Sequence, residues 1–490
     1  MHMTTTIPKD PFVEEVMEKA LNAACAFNLL DQEAIDAVVR AVYETGFNNR
    51  WKLARMAHEE TGIGIVHDKV IKNILATRFV YRDIKDQKTV GIISEDPVAG
   101  ITEIARPMGP VFAVTPITNP TSTVLFKALI AMKSRNPILF YPHGGARKCS
   151  IEAARICYEA AVEAGAPEHC IQWIPRATRE QVLSFMSHKR TALVLATGSV
   201  SLVRAAYQSG NPAIGVGPGN VPVYIGKSAD VPFAVEQILL SKLFDNGTIC
   251  ASEQAVVVSK YNAREVTAEF QRKGAYFLAP EEMLKLEEVA FNRAQRSMRT
   301  EVIGKPATVI ADMAGIRVPA GTLLLIAPMQ TRQVGWKWPL SLEILAPILA
   351  FYEVESFEEG IAMCRKINQH GGLGHTVSIF SNDPEKINYF AQSLQAGRIV
   401  VNTPSSQGAL GGLYNGLTPS LTLACGSGGK NFTTDNISVK HLLNIQRIAY
   451  RNINTCTEHQ RGEAFCCDRN LTVTGVDERC EKAGMFQPET

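Results

Sequence analysis

The chain has 490 residues, 46% hydrophobic and 20% charged, with 50 Lys+Arg against 48 Asp+Glu for a net charge of +2. Such a chain has material for roughly two to four globular domains; its near-balanced charge offers no cation excess to nucleic-acid phosphates, and no run of about 18 apolar residues spans a bilayer. Met1–Asp10 lacks the basic-then-apolar order of a secretory signal, so a soluble cytoplasmic protein without nucleic-acid or membrane partners is expected.

Val13, Val16, Ala20, Leu21 and Ala24 recur at helical spacing and Asp31–Val42 repeats the pattern, which predicts helices from Val13 to about Glu59. A polar, loop-rich stretch is expected through Asp86. From Gly109 short apolar runs take over: Val111–Thr115, Ile138–Tyr141, Ile171–Ile174 and Leu193–Ala196, with amphipathic segments such as Thr121–Ser134 and Cys149–Glu163 between them. Strand, helix, strand in this rhythm predicts parallel βαβ units and an open doubly wound sheet.

A second α/β texture follows, with strands expected at Ala255–Val258, Leu323–Ile326, Thr376–Phe380 and Ile399–Val401 and helices near Ala263–Gly274 and Pro384–Leu394. The breakers Pro222, Gly226, Asp230 and Pro232 place a domain change near Asp230–Val235. After about Asn452 the periodicity stops, and 452–490 reads as an irregular Cys-rich tail. It holds Cys456, Cys466, Cys467 and Cys480 of the eleven cysteines, an odd number that fits reduced thiols rather than a disulfide framework. The spacing of His459, Cys466, Cys467 and Cys480 fits no standard zinc pattern, so no metal is expected.

Leu193–Ser199 ends a strand and Val200–Gln208 reads as a helix, so Gly198 and Ser199 stand at a helix N-terminus. They form either a pyrophosphate seat or a plain turn with a Ser cap. A strict G-x-G-x-x-G is absent, and Gly215-Val-Gly217-Pro-Gly219 serves a tight turn equally well. Cys250 lies in Phe244–Glu253, where Asn246-Gly247 forces a turn that presents a small thiol. Taken alone, it is also readable as an inert core cysteine.

Phe244-Asp-Asn-Gly-Thr-Ile-Cys-Ala-Ser-Glu-Gln254 resembles the nucleophile motif of the aldehyde dehydrogenase superfamily, in its coenzyme A-acylating branch, and most closely the aldehyde dehydrogenase half of bifunctional aldehyde-alcohol dehydrogenases. Thr115–Ser122, Ala196–Ser199, Ala213–Asn220, Gly374–Thr376, Asn402–Pro404 and Leu421–Gly426 match in family order, so the resemblance covers about residues 10 to 450. It implies an NAD-binding domain (1–232), a catalytic thiol domain (233–426), and a small β-arm built from strands near 99–106 and within 427–451, about Lys440–Ile448. Such an arm bridges subunits, which implies a homodimer or higher oligomer.

The resemblance also implies roles. Cys250 adds to an aldehyde carbonyl, and the oxyanion is held by the Asn119 side-chain amide and the Cys250 N–H; a helix N-cap is the alternative for Asn119. Val114, Thr115, Pro116, Ile117, Thr118 and Asn119 pass beneath the nicotinamide. Gly198 and Ser199 meet the pyrophosphate with Gly217 nearby, and Leu423 packs near the nicotinamide. Glu343 holds a ribose, with a surface salt bridge as its alternative. His143 stands where many members carry a lysine near the adenosine ribose, which makes NAD the expected cofactor and NADP its alternative. His375 is the third catalytic candidate, for generating a thiolate or holding a carbonyl; a local hydrogen bond is its alternative.

Hydrolytic members activate water with a glutamate some thirty-odd residues before the cysteine. The matching stretch here, Ile214–Asn220, has no carboxylate. Water needs a general base where a thiol does not, so the acyl group is expected to pass to coenzyme A, reversibly. Acetaldehyde is the first expected substrate, ahead of propionaldehyde, succinate semialdehyde and sulfoacetaldehyde; a charged one would need a cation such as Lys430 or Arg398. A hydrolytic enzyme using Glu253 and a non-catalytic assembly protein are the competing readings. Cys425–Asn431 lacks the tryptophan usual in that loop, which leaves the acyl pocket open. A separate alcohol dehydrogenase is the expected metabolic partner, and the tail suits a docking peptide for microcompartment cargo.

Overall fold

Asp10 caps the first helix by accepting the N–H groups of Phe12 and Val13, and Asp31 caps the second by accepting that of Ala34. The computed structural model describes residues 10–450. Helices α1 (Pro11–Phe27), α2 (Gln32–Asn48) and α3 (Arg50–Thr61) follow the expected periodicity, and α3 stops at Gly62 with φ 63°. The stretch read as loop is helical instead: α4 (Val66–Ile74), a π turn (Leu75–Phe79) and α5 (Val80–Ile84) run on from one another. The misreading has a physical source. The segment's inward face mixes Val70, Leu75, Ala76, Val80 and Ile84 with four buried polar residues, Lys69, Lys72, Asn73 and Thr77, whose polarity marks interior pairing rather than solvation.

Two strands, β1 (Gly91–Asp96) and β2 (Ile101–Pro107), come next and belong to the small body described below. The first large sheet then forms from β3 (Val111–Thr115), β4 (Ile138–Pro142), β5 (Ile171–Trp173), β6 (Leu193–Thr197) and β7 (Ala213–Val216). They are parallel and ordered β5-β4-β3-β6-β7. Helices α6 (Pro120–Lys133), α7 (Arg147–Glu163), α8 (Arg179–Ser187) and α9 (Val200–Gln208) connect them. Strand order reverses between β3 and β6, so the crevice that an open α/β sheet offers to a ligand opens at their carboxyl ends.

The second sheet takes β8 (Val221–Ile225), β9 (Glu253–Ser259) and β10 (Ala275–Phe277), then, after a hairpin of β11 (Phe291–Asn292) and β12 (Ser297–Met298), β13 (Leu324–Pro328), β14 (Ile348–Val354), β15 (Gly374–Phe380) and β16 (Ala396–Val401). Its order is β10-β13-β14-β9-β8-β15-β16, parallel throughout. Ala255 and Val257 enter one apolar cluster and Val256 and Val258 another, as alternation along a strand covered on both faces requires. Since β8 pairs with β9 and β15, the chain enters the second sheet at Val221, ahead of the 232/233 boundary. The breakers that suggested that boundary act locally instead. Asp230 caps α10 (Val231–Leu243), accepting the Phe233 N–H, and Pro232 occupies its first turn.

The smaller body is a three-stranded sheet in the order β1-β2-β17, with β17 at Leu443–Ala449. Arg106 Nε donates to Gln446 Oε1 (2.9 Å) and Arg447 pairs with Glu103 (2.8 Å). These are the strands expected of the β-arm. The tail cluster His459, Cys466, Cys467 and Cys480 lies outside the described residues. Among the described residues no His/Cys/Asp/Glu group could hold a metal, and no helix is long and apolar enough to cross a membrane.

Candidate active site

The thiol follows a turn that few sequences could make. Asp245 (φ 50°), Asn246 (φ 53°) and Gly247 (φ 75°) are consecutive left-handed residues, and Asp, Asn and Gly are the types that enter this region at least cost. A Cβ on Gly247 would stand 2.9 Å from the Ala346 carbonyl oxygen, so glycine is required on packing grounds as well. The turn is held from below. The fully buried Asp245 carboxylate accepts from Lys69 Nζ (3.0 Å), Lys72 Nζ (2.5 Å), the Ile65 N–H (2.6 Å) and the Thr248 hydroxyl (2.8 Å). Burial pushes this carboxyl up, but Lys72 and Lys69 outweigh it, and the net shift is downward.

Cys250, half-buried, has its Sγ 3.3 Å from His375 Nε2. His375 is enclosed near the start of β15, and its Nδ1 is 2.9 Å from Thr376 Oγ1. Burial, then the charge of Arg398, brings the imidazole down to about 3, so it is neutral and able to accept a proton. Burial, then Glu343 and Cys425, pushes the Cys250 thiol up to about 12 against the pull of Arg398. The resting pair is therefore thiol and neutral imidazole, not thiolate and imidazolium.

Arg398 corrects an expectation. It is buried on β16, and its N–H groups go to Thr376 Oγ1, the carbonyls of His375, Ala424 and Thr434, and Asn436 Oδ1. It clamps the His375 strand and has no donor left for a charged substrate. Glu253 is fully buried at the start of β9, with its Oε1 accepting the Ser405 N–H (3.0 Å). The carboxyl that acts on the thiol is Glu343, whose Oε1 accepts the Gly219 N–H (2.8 Å) and which burial pushes up to about 7. Gly219 itself lies against the thiol segment, since a Cβ there would be 2.2 Å from the Cys250 carbonyl oxygen.

Asn119 precedes α6 as its N-cap residue but makes no side-chain cap bond. Its Nδ2 reaches the Thr248 carbonyl (3.4 Å) and Thr118 Oγ1 (3.1 Å), and its Oδ1 accepts from Lys72 Nζ (2.7 Å). The amide thus spans from the end of β3 to the thiol-bearing segment. Sequence reasoning missed Lys69, Lys72 and Asp245; only the polarity of the helix that carries the two lysines hinted at them.

Of the remaining expected residues, Val114 to Thr118 and Gly198–Ser199 lie at the strand-order reversal. Val114 and Thr115 end β3, and Pro116, Ile117 and Thr118 lead from it to Asn119; Gly198 and Ser199 link β6 to α9. Three observations suit a dinucleotide there. Thr115 Oγ1 is buried with no hydrogen-bond partner, Ser199 heads α9 without capping it, and a Cβ on Gly217 would meet no atom within 4 Å. His143 is exposed at a short turn, its Nδ1 accepting the Gly145 N–H (3.1 Å). Leu423 is buried in a cluster with Ile249 and Ala251, which flank Cys250.

The sequence profile of the aldehyde dehydrogenase family matches residues 6–278 and 339–440, most of the chain. The chain belongs to the aldehyde dehydrogenase family. An aldehyde-alcohol dehydrogenase of Streptococcus pneumoniae is 44% identical over 90% of this chain and 51% of its own. This chain spans about half the length of the aldehyde-alcohol dehydrogenases it matches. A succinate-semialdehyde dehydrogenase (acetylating) of Clostridium kluyveri is 37% identical over 90% of this chain and 96% of its own. The crystal structure of an acetylating aldehyde dehydrogenase from Geobacillus thermoglucosidasius superposes with a TM-score of 0.87 at 47% identity, covering 90% of this chain and 96% of that one. The two parallel α/β sheets described above are the fold shared with that acetylating aldehyde dehydrogenase.

Proposed function

We propose that the protein oxidises a short-chain aldehyde, acetaldehyde first, with NAD or NADP and passes the acyl group from Cys250 to coenzyme A, reversibly. The observation that carries this reading is the pairing of Cys250 with His375 where Gly219, from the carboxylate-free stretch Ile214–Asn220, packs against the Cys250 carbonyl. His375 Nε2 takes the thiol proton as sulfur adds to the carbonyl, and the Asn119 amide with the Cys250 N–H holds the resulting oxyanion. The nicotinamide, when bound, supplies the hydride acceptor. Val114–Asn119, Gly198, Ser199 and Gly217 would seat it, with Glu343 on a ribose, His143 near the adenosine and Leu423 backing the site. The thioester left on Cys250 is then open to a second thiol, because a thiolate attacks it without the base that water requires.

One observation favours a second reading. Glu343, near neutral in pKa and electrostatically coupled to Cys250, has the properties of a general base for hydrolysis. Its bond to the Gly219 N–H points its carboxyl at backbone instead. Purified protein with acetaldehyde and NAD separates the two: NADH rising only when coenzyme A is added, and consumed with acetyl-CoA in reverse, supports acyl transfer. NADH rising without coenzyme A supports hydrolysis, and turnover in neither direction leaves an assembly role. The same assay across propionaldehyde, succinate semialdehyde and sulfoacetaldehyde fixes the acyl group.

The β-arm is suited to joining copies of the chain, and the aldehyde formed in reverse is a substrate for an alcohol dehydrogenase activity. Seven described cysteines are unpaired, as a reducing, cytoplasm-like or microcompartment interior would keep them.

A further inference from the structure

The Asn119 amide has two ends, and only its N–H₂ end can hold an oxyanion. Lys72 fixes the choice from the Oδ1 side, as the Thr248 carbonyl (3.4 Å) does from the Nδ2 side. An ammonium only donates, and Lys72 Nζ lies 2.7 Å from Asn119 Oδ1, so a flipped amide would set donor against donor. Lys72 is fully buried on α4, and its three protons meet three acceptors: Asn119 Oδ1, Asp245 Oδ2 (2.5 Å) and Thr248 Oγ1 (2.8 Å). Asp245 and Thr248 both belong to the segment that presents Cys250. One side chain therefore ties the oxyanion donor to the nucleophile's own turn.

A simpler role, as counter-ion to Asp245, does not account for it. Lys69 Nζ already pairs with the same carboxylate at 3.0 Å, and a second buried ammonium is costly; burial brings Lys72 down to about 8 despite Asp245. What Lys72 has and Lys69 lacks are the bonds to Asn119 and Thr248, which join the amide to the thiol segment. A full charge on Oδ1 also polarises the amide and makes its N–H a stronger donor.

We propose that Lys72 is a positioning residue for the reaction: it fixes the orientation of the Asn119 amide and its register against Cys250, so that the donor is preorganised before the carbonyl arrives. The proposal rests on the reading of Asn119 as the oxyanion donor given above.

The test compares Lys72→Met, Lys72→Gln, Asn119→Ala and the Asn119→Ala/Lys72→Met pair in the full-length enzyme, assayed with acetaldehyde, NAD and coenzyme A and in reverse with acetyl-CoA and NADH. Loss of one oxyanion donor costs about 10²–10³ in kcat, and that is expected of Asn119→Ala. Lys72→Met is expected to lower kcat by about 10–10² while each KM stays within about threefold, since a loosened donor spoils the transition state and not ground-state binding. Lys72→Gln, which can still donate to Oδ1, is expected to regain part of that loss. The double variant is expected to be no slower than Asn119→Ala alone, within about threefold, because residues acting as a unit are non-additive. A folded Lys72→Met with wild-type kcat beside a slow Asn119→Ala overturns the proposal alone, as do losses that multiply in the double variant. A full-rate Asn119→Ala overturns the oxyanion reading and the proposal with it. If Lys72→Met gives no cooperative melt, Lys72→Gln alone and in the Asn119→Ala background carries the same comparison.

Discussion

His375 Nε2 stands 3.3 Å from Cys250 Sγ, the ring held by Thr376 at its other nitrogen and by the Arg398 clamp along its strand. With the thiol pushed up to about 12 and the imidazole brought down to about 3, neither ionises alone near neutral pH. Proton transfer must accompany attack. His375→Ala is expected to lower kcat by about 10²–10⁴, the usual worth of a general base. Its rate should then climb with pH towards the thiol's own pKa, while the wild-type rate levels off. Stopped-flow NADH formation from pH 6 to 10 checks this; a flat profile for the variant would count against the base role.

Much of the scaffold was legible because its signals are local. Val111–Thr115 and Leu193–Ala196 are short apolar runs that read as buried strands, and Asn246-Gly247 announced a turn ahead of Cys250. What escaped is what depends on distant pairing. Lys72 and Asp245 are 173 residues apart, and nothing near either predicts the other. The Val66–Ile84 helices were hidden for the same reason: buried polar residues such as Lys69 and Lys72 interrupt the apolar face and look solvated until their partner is known. Arg398 read as a cation for a charged substrate because its five acceptors come from three segments of chain remote from it in sequence.

Glu343 is the second-largest cause of the raised thiol pKa, after burial. Removing its charge with Glu343→Gln should lower that pKa, although burial keeps it above the ordinary thiol value. Iodoacetamide alkylation of Cys250 in cofactor-free protein, followed from pH 7 to 10, should run several-fold faster in the variant. NAD should bind more weakly at the same time if the carboxylate also serves a ribose. An unchanged alkylation profile would refute the coupling.

The β-arm exposes apolar side chains on both of its outer strands and at the loop between: Ile92 on β1, Val98 after it and Ile448 on β17. Unpaired strand edges with such residues invite pairing with another copy. Each fully buried aliphatic side chain is worth about 1.5–3 kcal/mol. Val98→Asp together with Ile448→Asp is therefore expected to weaken association by at least about tenfold. Light scattering over a dilution series should show smaller species for the variant; an unchanged mass would place the interface elsewhere.

Lys127 gives the stability of the first sheet a pH dependence of definite sign. It lies buried on α6 and donates to the Val114 and Leu195 carbonyls and the Thr197 hydroxyl, with burial bringing it down to about 7. Between that value and the ordinary lysine pKa the unfolded chain binds the proton that the folded chain releases. Lys127 thus makes stability rise with pH across this window and withdraws that contribution as pH falls back towards 7. Glu253 and Glu343, pushed up to about 7, act with the opposite slope but below this range, and the raised cysteines act above about 9. The slope from pH 7 to 9 is therefore set by buried lysines, with Lys242, also brought down to about 7, and Lys72 sharing it. Lys127→Met keeps the length of the side chain without the charge. It should flatten, without abolishing, the rise in Tm between pH 7 and 9, and a variant whose Tm rises as steeply as the wild type would mean that Lys127 stays protonated in the fold.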